Sequence, residues 1–341
     1  VTVSAGDWDR ASELIEQAAA KGGTVCLTCH MFPDGDALGS MLAFGLGLRQ
    51  LGVDCVASFG DPFVIPSNLR FLPGQEILVP PAAFPREPEL MISFDAAKVE
   101  RLGSLAPAAD PDRLIVIDHH ASNTGFGSVN LVDARAAATA VLTERLLSRL
   151  GVALTADIAL GLYAGLASDT GSFRYASTTA EVHGLAGRLV EAGVRPDAVS
   201  RELWERVPFG YLKVLSTALE RARFEPGAAG DLGVIWTTVS RTDRAAFELP
   251  YDLLEGVIDV IRRCDDAEVA VVFKETDDGA WYVSTRAKGA VDVGRACGAL
   301  GGGGHPLAAA FTSRADPSDT LAELLRLLAA STFDASMEAA S

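Results

Sequence analysis

Metal-capable side chains stand where apolar runs stop. Cys26-Leu27-Thr28-Cys29 leads into His30, Leu90-Met91-Ile92-Ser93-Phe94 into Asp95, and Leu114-Ile115-Val116-Ile117 into Asp118-His119-His120. Each run reads as a short buried strand of a parallel sheet. Open α/β sheets bind ligands just beyond the carboxyl ends of such strands, and those ends share one edge. A fourth acid, Asp169, ends an apolar helical stretch and precedes Thr170-Gly171. One such ending would mean little; together they can converge on a site.

His30, Asp34 and Asp36 come from a single loop. Residues two apart share a side of an extended chain, and Gly35 permits a tight bend between the acids. Two carboxylates that close resist joint ionisation, a conflict that a divalent cation removes. Taken alone, the loop reads equally as a Pro-Asp-Gly turn with Asp36 as a helix N-cap. Of the histidines, His30, His119, His120 and His305 lie in candidate site loops, whereas His183 falls inside a helical stretch and reads as surface or packing. Carboxylates with a minority of imidazoles and no thiolate suit manganese or magnesium better than structural zinc. Five or six such ligands exceed what one metal with an open position uses. Two ions about 3.5–4 Å apart that share a carboxylate fit phosphoester cleavage. Separately, Gly301-Gly302-Gly303-Gly304-His305 offers exposed backbone N–H groups of the kind that cradle phosphate, or else a flexible hairpin. Arg286, which ends a strand shortly before it, suits bidentate phosphate recognition.

The elements that must position these groups follow from periodicity. Helical spacing predicts helices over 7–21 (with Asp7 as N-cap), 37–51, 136–150, 155–168, 178–192 and 196–204. Strands are predicted at 24–29, 53–59, 90–95 and 113–117, and the proline-rich 61–88 reads as a long connection with one short helix near 68–72. Glycines 39, 45 and 47 would let the 37–51 helix pack closely on a sheet. A charged amphipathic helix over 209–224 leads to a second α/β pattern. It has strands at 232–239, 267–275 and 281–286, and helices at 251–263, 289–300 and 316–328.

A chain of 341 residues accommodates two cores. Its net charge of −16 argues against broad binding to duplex DNA or an anionic membrane. It leaves open a small anionic substrate, because metal ions invert the local sign of an acidic site. No run reaches the roughly 18 apolar residues of a membrane span, and the first residues lack a secretory pattern, so a cytoplasmic chain is expected. The five cysteines (Cys26, Cys29, Cys55, Cys264, Cys297) read as reduced, buried thiols. Cys26-Leu27-Thr28-Cys29-His30 matches a haem-attachment pattern, but a strand would send Cys26 and Cys29 to opposite faces.

With these residues in place, the chain resembles the DHH phosphoesterase superfamily, a DHH domain followed by a DHH-associated domain. The motifs are His30-Met31-Phe32-Pro33-Asp34-Gly35-Asp36-Ala37-Leu38-Gly39-Ser40, then Asp95, then Asp118-His119-His120-Ala121-Ser122-Asn123. Ser168-Asp169-Thr170-Gly171 and Gly302-Gly303-Gly304-His305-Pro306-Leu307-Ala308-Ala309 complete the set. The layout looks like the nanoRNase/pAp-phosphatase branch, whose members act on very short RNAs, on 3′-phosphoadenosine 5′-phosphate, and on cyclic di-AMP or pApA. The resemblance implies an α/β fold with a parallel-sheet DHH domain over 1–195, a helical connector over 196–222 and a smaller mixed-sheet domain over 223–335. A tail would cover 336–341, and the active site would lie in the cleft between the domains. It further implies two divalent ions, manganese first with magnesium or cobalt as alternatives. One would be held by His30, Asp34 and Asp95, the other by Asp36, Asp95, His119 and Asp169, with a hydroxide between them attacking phosphorus. His120 would contact the scissile phosphate and Asp118 would support the ligands. Arg286, Gly303, Gly304 and His305 would hold the substrate's terminal phosphate or nucleotide, with Asn123 in the same pocket. A homodimer is implied as well. Phe311 departs from the pattern of many relatives, which have Ala-Ala-Gly at 309–311, and its bulk leaves the shape of the nucleotide pocket open.

An acidic chain without a long basic groove favours short substrates independently of the resemblance. The rival enzyme reading is a manganese inorganic pyrophosphatase of the same superfamily, with exopolyphosphatase behind it. The rival of another class is a cyclic-dinucleotide sensor that no longer cleaves.

Overall fold

Short, uniformly apolar strands alternate with helices in the first half of the chain, the arrangement that builds a parallel sheet covered on both faces. The computed structural model describes residues 3–333. The chain divides between Arg206 and Val207 into two compact units. The tail expected at 336–341 lies outside the described residues.

In the first unit, α1 (Ala5–Ala20) leads to β1 (Val25–Cys29), α2 (Gly35–Gln50), β2 (Cys55–Phe59), β3 (Leu90–Phe94), β4 (Leu114–Asp118) and β5 (Val129–Val132). Then come α3 (Thr139–Arg149), α4 (Ala156–Asp169), α5 (Ala180–Glu191) and α6 (Pro196–Ser200). The strands form a parallel sheet in the order β2-β1-β3-β4-β5. Val25, Leu27 and Cys29 join a core with Leu38, Leu42 and Leu162 on one face, while Cys26, Met91 and Val116 pack with Leu102 and Leu105 on the other. Cys26 and Cys29 therefore do face opposite ways.

Several local details differ from the sequence reading. Ser4, not Asp7, caps α1; Asp7 closes the reciprocal capping box from the third helical position. The connection 61–88 holds three separate single turns of 3₁₀ helix at 67–69, 75–77 and 81–83 rather than one helix. The strand β5 was hidden by its four-residue length. The close partner of α2 is α4 rather than the sheet: a Cβ added at Gly39 would lie 2.4 Å from the Gly161 carbonyl oxygen, and one at Gly35 2.9 Å from Ser168 Cβ. Of the three glycines assigned to sheet packing, Gly45 alone meets β1, at Leu27.

The second unit begins with α7 (Phe209–Arg221), β6 (Arg223–Glu225), the short turn α8 (Ala228–Asp231), β7 (Val234–Val239), α9 (Arg241–Ala245), α10 (Gly256–Ile261), β8 (Val269–Glu275) and β9 (Trp281–Ala287). It ends with α11 (Val293–Ala299), β10 (Gly303–His305), β11 (Ala308–Ser313) and α12 (Pro317–Ala329). The sheet is mixed, in the order β10-β11-β9-β8-β7-β6, with β7 and β8 parallel and the other pairs antiparallel. Phe273, Val283 and Phe311 pack on one face with Cys297 and Leu324; Ala270 and Val272 pack on the other with Tyr211, Val214 and Ile258. The stretch 196–222 spans the division between the units. Its first part belongs to the first unit, and α7 lays Tyr211, Val214 and Ala218 into the core of the second. Among the described residues no helix is long and apolar enough to cross a membrane.

Candidate metal centre

The strand order reverses between β1 and β3: the chain leaves β1 toward β2 on one side and continues through β3, β4 and β5 on the other. Such a switch point opens a crevice at the carboxyl ends. Cys29 pairs with Phe94, and Phe94 with Ile117. The next residues, His30, Asp95 and Asp118, therefore emerge side by side at one level. Asp95 leaves its strand with φ 56°, a left-handed conformation that costs a non-glycine residue about 1–3 kcal/mol and clusters at functional sites.

The two oxygens of Asp95 face different partners. Oδ2 lies 3.5 Å from His30 Nε2, and Oδ1 lies 3.5 Å from His119 Nε2. His30 Nε2 is also 3.8 Å from Asp34 Oδ2, while His119 Nε2 is 3.0 Å from Asp169 Oδ2 and 4.0 Å from Asp36 Oδ2. His30, Asp34 and Asp95 form one group with ligand atoms within 4.8 Å of one another, and Asp36, Asp95 and His119 form a second. Both imidazoles are turned the same way. His30 Nδ1 is 2.9 Å from the Met31 carbonyl oxygen and His119 Nδ1 is 3.2 Å from that of Ala136. A carbonyl only accepts, so each Nδ1 carries the hydrogen and each Nε2 turns to the carboxylates, the tautomer a metal needs.

Local chemistry holds each acid. Asp34, rather than Asp36, is the N-cap of α2: its Oδ1 accepts from the amides of Asp36 and Ala37, each at 3.0 Å. Asp36 is thereby released to point under α3, where it is fully buried. Its Oδ2 accepts from the Thr139 amide at 2.6 Å, and its Oδ1 accepts from the Ala140 amide at 2.9 Å and the Ser40 hydroxyl at 3.2 Å. The start of α3 suits a carboxylate, because helix N-termini carry unpaired N–H groups and partial positive charge. Close packing of α2 on α4 sets the depth, since a Cβ at Gly165 would fall 2.6 Å from Asp36 Oδ1. Asp169 stands at the C-terminal end of α4, facing His119.

The carboxylates of this set crowd one another, and burial and proximity shift their protonation. Burial, with Asp95 and Asp169 nearby, pushes Asp36 well above the usual carboxylate range. Burial also pushes Asp169 up to about 6, against the pull of His119. Burial opposes charge on Asp95 too, yet the hydrogen bond from His30 and the charges of His119, His120 and His30 hold it well below the usual range. Against its own burial, His30 is raised to about 10 by hydrogen bonds to Asp34 and Asp95. Protons on imidazoles stand in for positive charge that a metal would bring. The thiol beside this set, Cys29, is buried in the core with its pKa pushed well up by burial. Four carboxylates and two imidazole nitrogens with no thiolate fit a pair of divalent cations of the manganese or magnesium type.

Asp118 is fully buried behind the set. Its Oδ1 accepts from the His119 amide at 2.9 Å and from His120 Nδ1 at 2.7 Å, and its Oδ2 from Asn123 Nδ2 at 2.6 Å. Asn123 also donates to the Ala96 carbonyl at 3.2 Å and accepts from the Gly125 amide at 2.7 Å. Its amide braces Asp118. His183 stacks on Phe173, at 5.6 Å between ring centroids, a packing role. The sequence reading missed Thr139, whose hydroxyl donates to Asp95 Oδ1 at 2.9 Å. It opens a helix after three alanines and carried no signal beyond a helix start.

In the second unit, His305 pairs with Ala308 on β11, and Ala308 pairs with Arg286 on β9. Directly paired residues share a face, so Arg286 and His305 lie on one side of the sheet about 10 Å apart by strand spacing. Small Ala308 stands between them. Phe311 alternates to the opposite face and is buried in the core, which removes it from that surface. The glycine loop is a β-hairpin whose glycines differ. A Cβ at Gly302 would meet the Ala310 carbonyl oxygen at 2.1 Å, and one at Gly304 (φ 142°) the Ala308 carbonyl oxygen at 2.5 Å, whereas at Gly303 nothing lies within 4 Å.

The family described as DHH family, N-terminal domain, matches residues 24–166, and the DHHA1 domain matches residues 242–331. The bifunctional oligoribonuclease and PAP phosphatase NrnA of Thermus thermophilus is 32% identical over 305 residues, covering 89% of each chain. A probable bifunctional oligoribonuclease and PAP phosphatase NrnA of Streptococcus mutans is 26% identical, over 89% of this chain and 95% of that protein. The crystal structure of an exopolyphosphatase-related protein from Bacteroides fragilis shares the fold, with a TM-score of 0.84 at 20% identity over 96% of each chain. The converging strand ends, the two domain matches and the Thermus relative together show that the chain belongs to the DHH family of phosphoesterases, of the oligoribonuclease and PAP-phosphatase type, with a C-terminal DHHA1 domain.

Proposed function

We propose that the chain hydrolyses short nucleotide phosphoesters with a pair of divalent cations, manganese in the first instance. Its substrates would be oligoribonucleotides of a few residues, 3′-phosphoadenosine 5′-phosphate, and pApA or cyclic di-AMP. The observation that carries this reading is Asp95, whose two oxygens each face a separate imidazole and carboxylate set. Cations bound there would lower the pKa of water and neutralise charge building up on phosphorus.

The side chains themselves orient and hold. His30, Asp34 and Asp95 would hold one ion, and Asp36, Asp95, His119 and Asp169 the other. His120 keeps its Nδ1 hydrogen on Asp118 and is raised in pKa, against its own burial, by that bond and by Asp95. A protonated Nε2 on this braced ring is suited to donate to a phosphoryl oxygen or the leaving group. In the second unit, the row Arg286–Ala308–His305 beside the exposed Gly303 would grip a terminal phosphate. One phosphate grip and a net charge of −16 favour a ligand measured from its end. A homodimer is part of the same proposal.

The test is kcat/KM with Mn²⁺ on pAp, pApA, cyclic di-AMP, di- to pentaribonucleotides, a 20-mer and pyrophosphate. The short nucleotides should lead by at least tenfold. A preference for pyrophosphate, or equal rates on 20-mers and dimers, would reject the assignment. Binding without turnover would point to a sensor.

A further inference from the structure

We infer that Ala136–Ala140 acts as a positioning strap for one of the two metal positions, and that Thr139 is the positioning residue on which the bridging carboxylate's second oxygen depends. This rests on the metal-centre reading above and concerns how its two halves are held.

The two halves are supported differently. On the His30 side, support is local: the Met31 carbonyl takes His30 Nδ1, and the amides of Asp36 and Ala37 hold Asp34. The other side is held from a distant segment. The Ala136 carbonyl takes His119 Nδ1, the Thr139 and Ala140 amides hold the two oxygens of Asp36, and the Thr139 hydroxyl donates to Asp95 Oδ1. Three residues of one five-residue stretch, Ala136, Thr139 and Ala140, thus contact three of the four acids and imidazoles assigned to that position. Thr139 is fully buried, and its own carbonyl accepts from the Thr143 hydroxyl at 3.0 Å, which fixes it at the start of α3.

Only one of these bonds is made by a side chain of the strap. The amides and carbonyl survive substitution; the Thr139 hydroxyl does not. A carboxylate oxygen has two lone pairs, so a hydroxyl on one of them leaves the other aimed at a cation while it fixes the plane of the group. Asp95 Oδ2 makes no bond to Thr139 and keeps its place against His30. Loss of the hydroxyl should therefore disturb the Asp36–His119–Asp169 position and spare the His30–Asp34 position.

Thr139→Val removes the donor at nearly constant shape, and Thr139→Ser restores it. Mn²⁺ titration of the metal-depleted full chain, read by equilibrium dialysis and by electron paramagnetic resonance, separates the positions without an activity assay. The wild type should bind two ions and show a spin-coupled pair at saturation. Thr139→Val should bind its first ion as the wild type does, with an uncoupled six-line spectrum, and its second about 10–100-fold more weakly; Thr139→Ser should follow the wild type. Equal affinities for both ions in Thr139→Val, equal weakening of both, or Thr139→Ser behaving like Thr139→Val would overturn the proposal. If Thr139→Val fails to fold, Thr139→Ser alone decides it, by keeping or losing the coupled pair. Fewer than two ions in the wild type would overturn the metal-centre reading itself, and this proposal with it.

Discussion

The carboxyl edge of the first sheet and the β10–β11–β9 edge of the second solve opposite problems. At the first, Asp36, Asp95 and Asp118 are essentially buried, and Asp36 and Asp118 each accept three hydrogen bonds from protein donors. At the second, Gly303 and Gly304 are exposed, and Arg286 and His305 are half-buried across a small alanine. A metal centre needs donors fixed to a fraction of an ångström before the ion arrives, because unpaired buried carboxylates repel. The surface proposed for the end of a nucleotide would gain from backbone that a ligand can approach closely. The first region is therefore sensitive to chemistry at fixed shape, and the second to shape and reach.

That contrast can be broken at either end. The largest effect is expected from Asp95→Asn, which keeps the volume and removes a charge serving both halves. A loss of several kcal/mol of metal-dependent stabilisation corresponds to a kcat/KM drop of about 10³–10⁴-fold. Circular dichroism should stay native, and activity within tenfold of wild type would refute the bridging role. Arg286→Ala should raise KM by about 10–100-fold through loss of a charge-assisted phosphate contact, with kcat changed far less; a kcat-dominated loss would place Arg286 with the chemistry instead.

The glycines offer a finer comparison. Gly304→Ala meets the Ala308 carbonyl oxygen at 2.5 Å with φ 142°, so it should lower Tm by several degrees, for a cost of about 1–3 kcal/mol. Gly303→Ala, with open space around it, should leave Tm unchanged and alter KM for the nucleotide. The reverse pattern would mean that Gly303 serves the fold.

The smallest effect is a proton count. His30 carries a pKa raised to about 10, so at pH 7 its proton must leave before Nε2 can bind a metal. Mn²⁺ binding should release protons, tighten as pH rises toward that value, and weaken as pH falls through about 6, where Asp169 protonates. Calorimetry in buffers of different ionisation enthalpy reads the release directly; buffer-independent heats would count against it.

Much of this architecture was legible in the chain. Apolar runs that stop at His30, Asp95 and Asp118 announce strands whose ends face a ligand, and the DHH, Asp-Thr-Gly and glycine-His motifs announce the family. Less was legible where two groups compete for one role. Asp34 and Asp36 are equivalent as helix caps until α3 supplies amides that claim Asp36. Asn123 looks like any exposed polar loop residue until Asp118 takes its amide. The β5 strand was too short to stand out from turns, and the glycine run left a phosphate cradle and a hairpin as alternatives until β10 paired with β11.

The sequence by itself determined the donor types, the strand ends that carry them and the family, because these depend on residue chemistry and on periodicities of two and 3.6. Tertiary structure alone decided which oxygen of Asp95 faces which imidazole, which way Phe311 points and what Thr139 does. The reason is distance along the chain. The Thr139 amide reaches Asp36 across a separation of 103 residues, and the Thr139 hydroxyl reaches Asp95 across 44. Those bonds are set by strand order and by helices crossing at glycine, which no local pattern encodes.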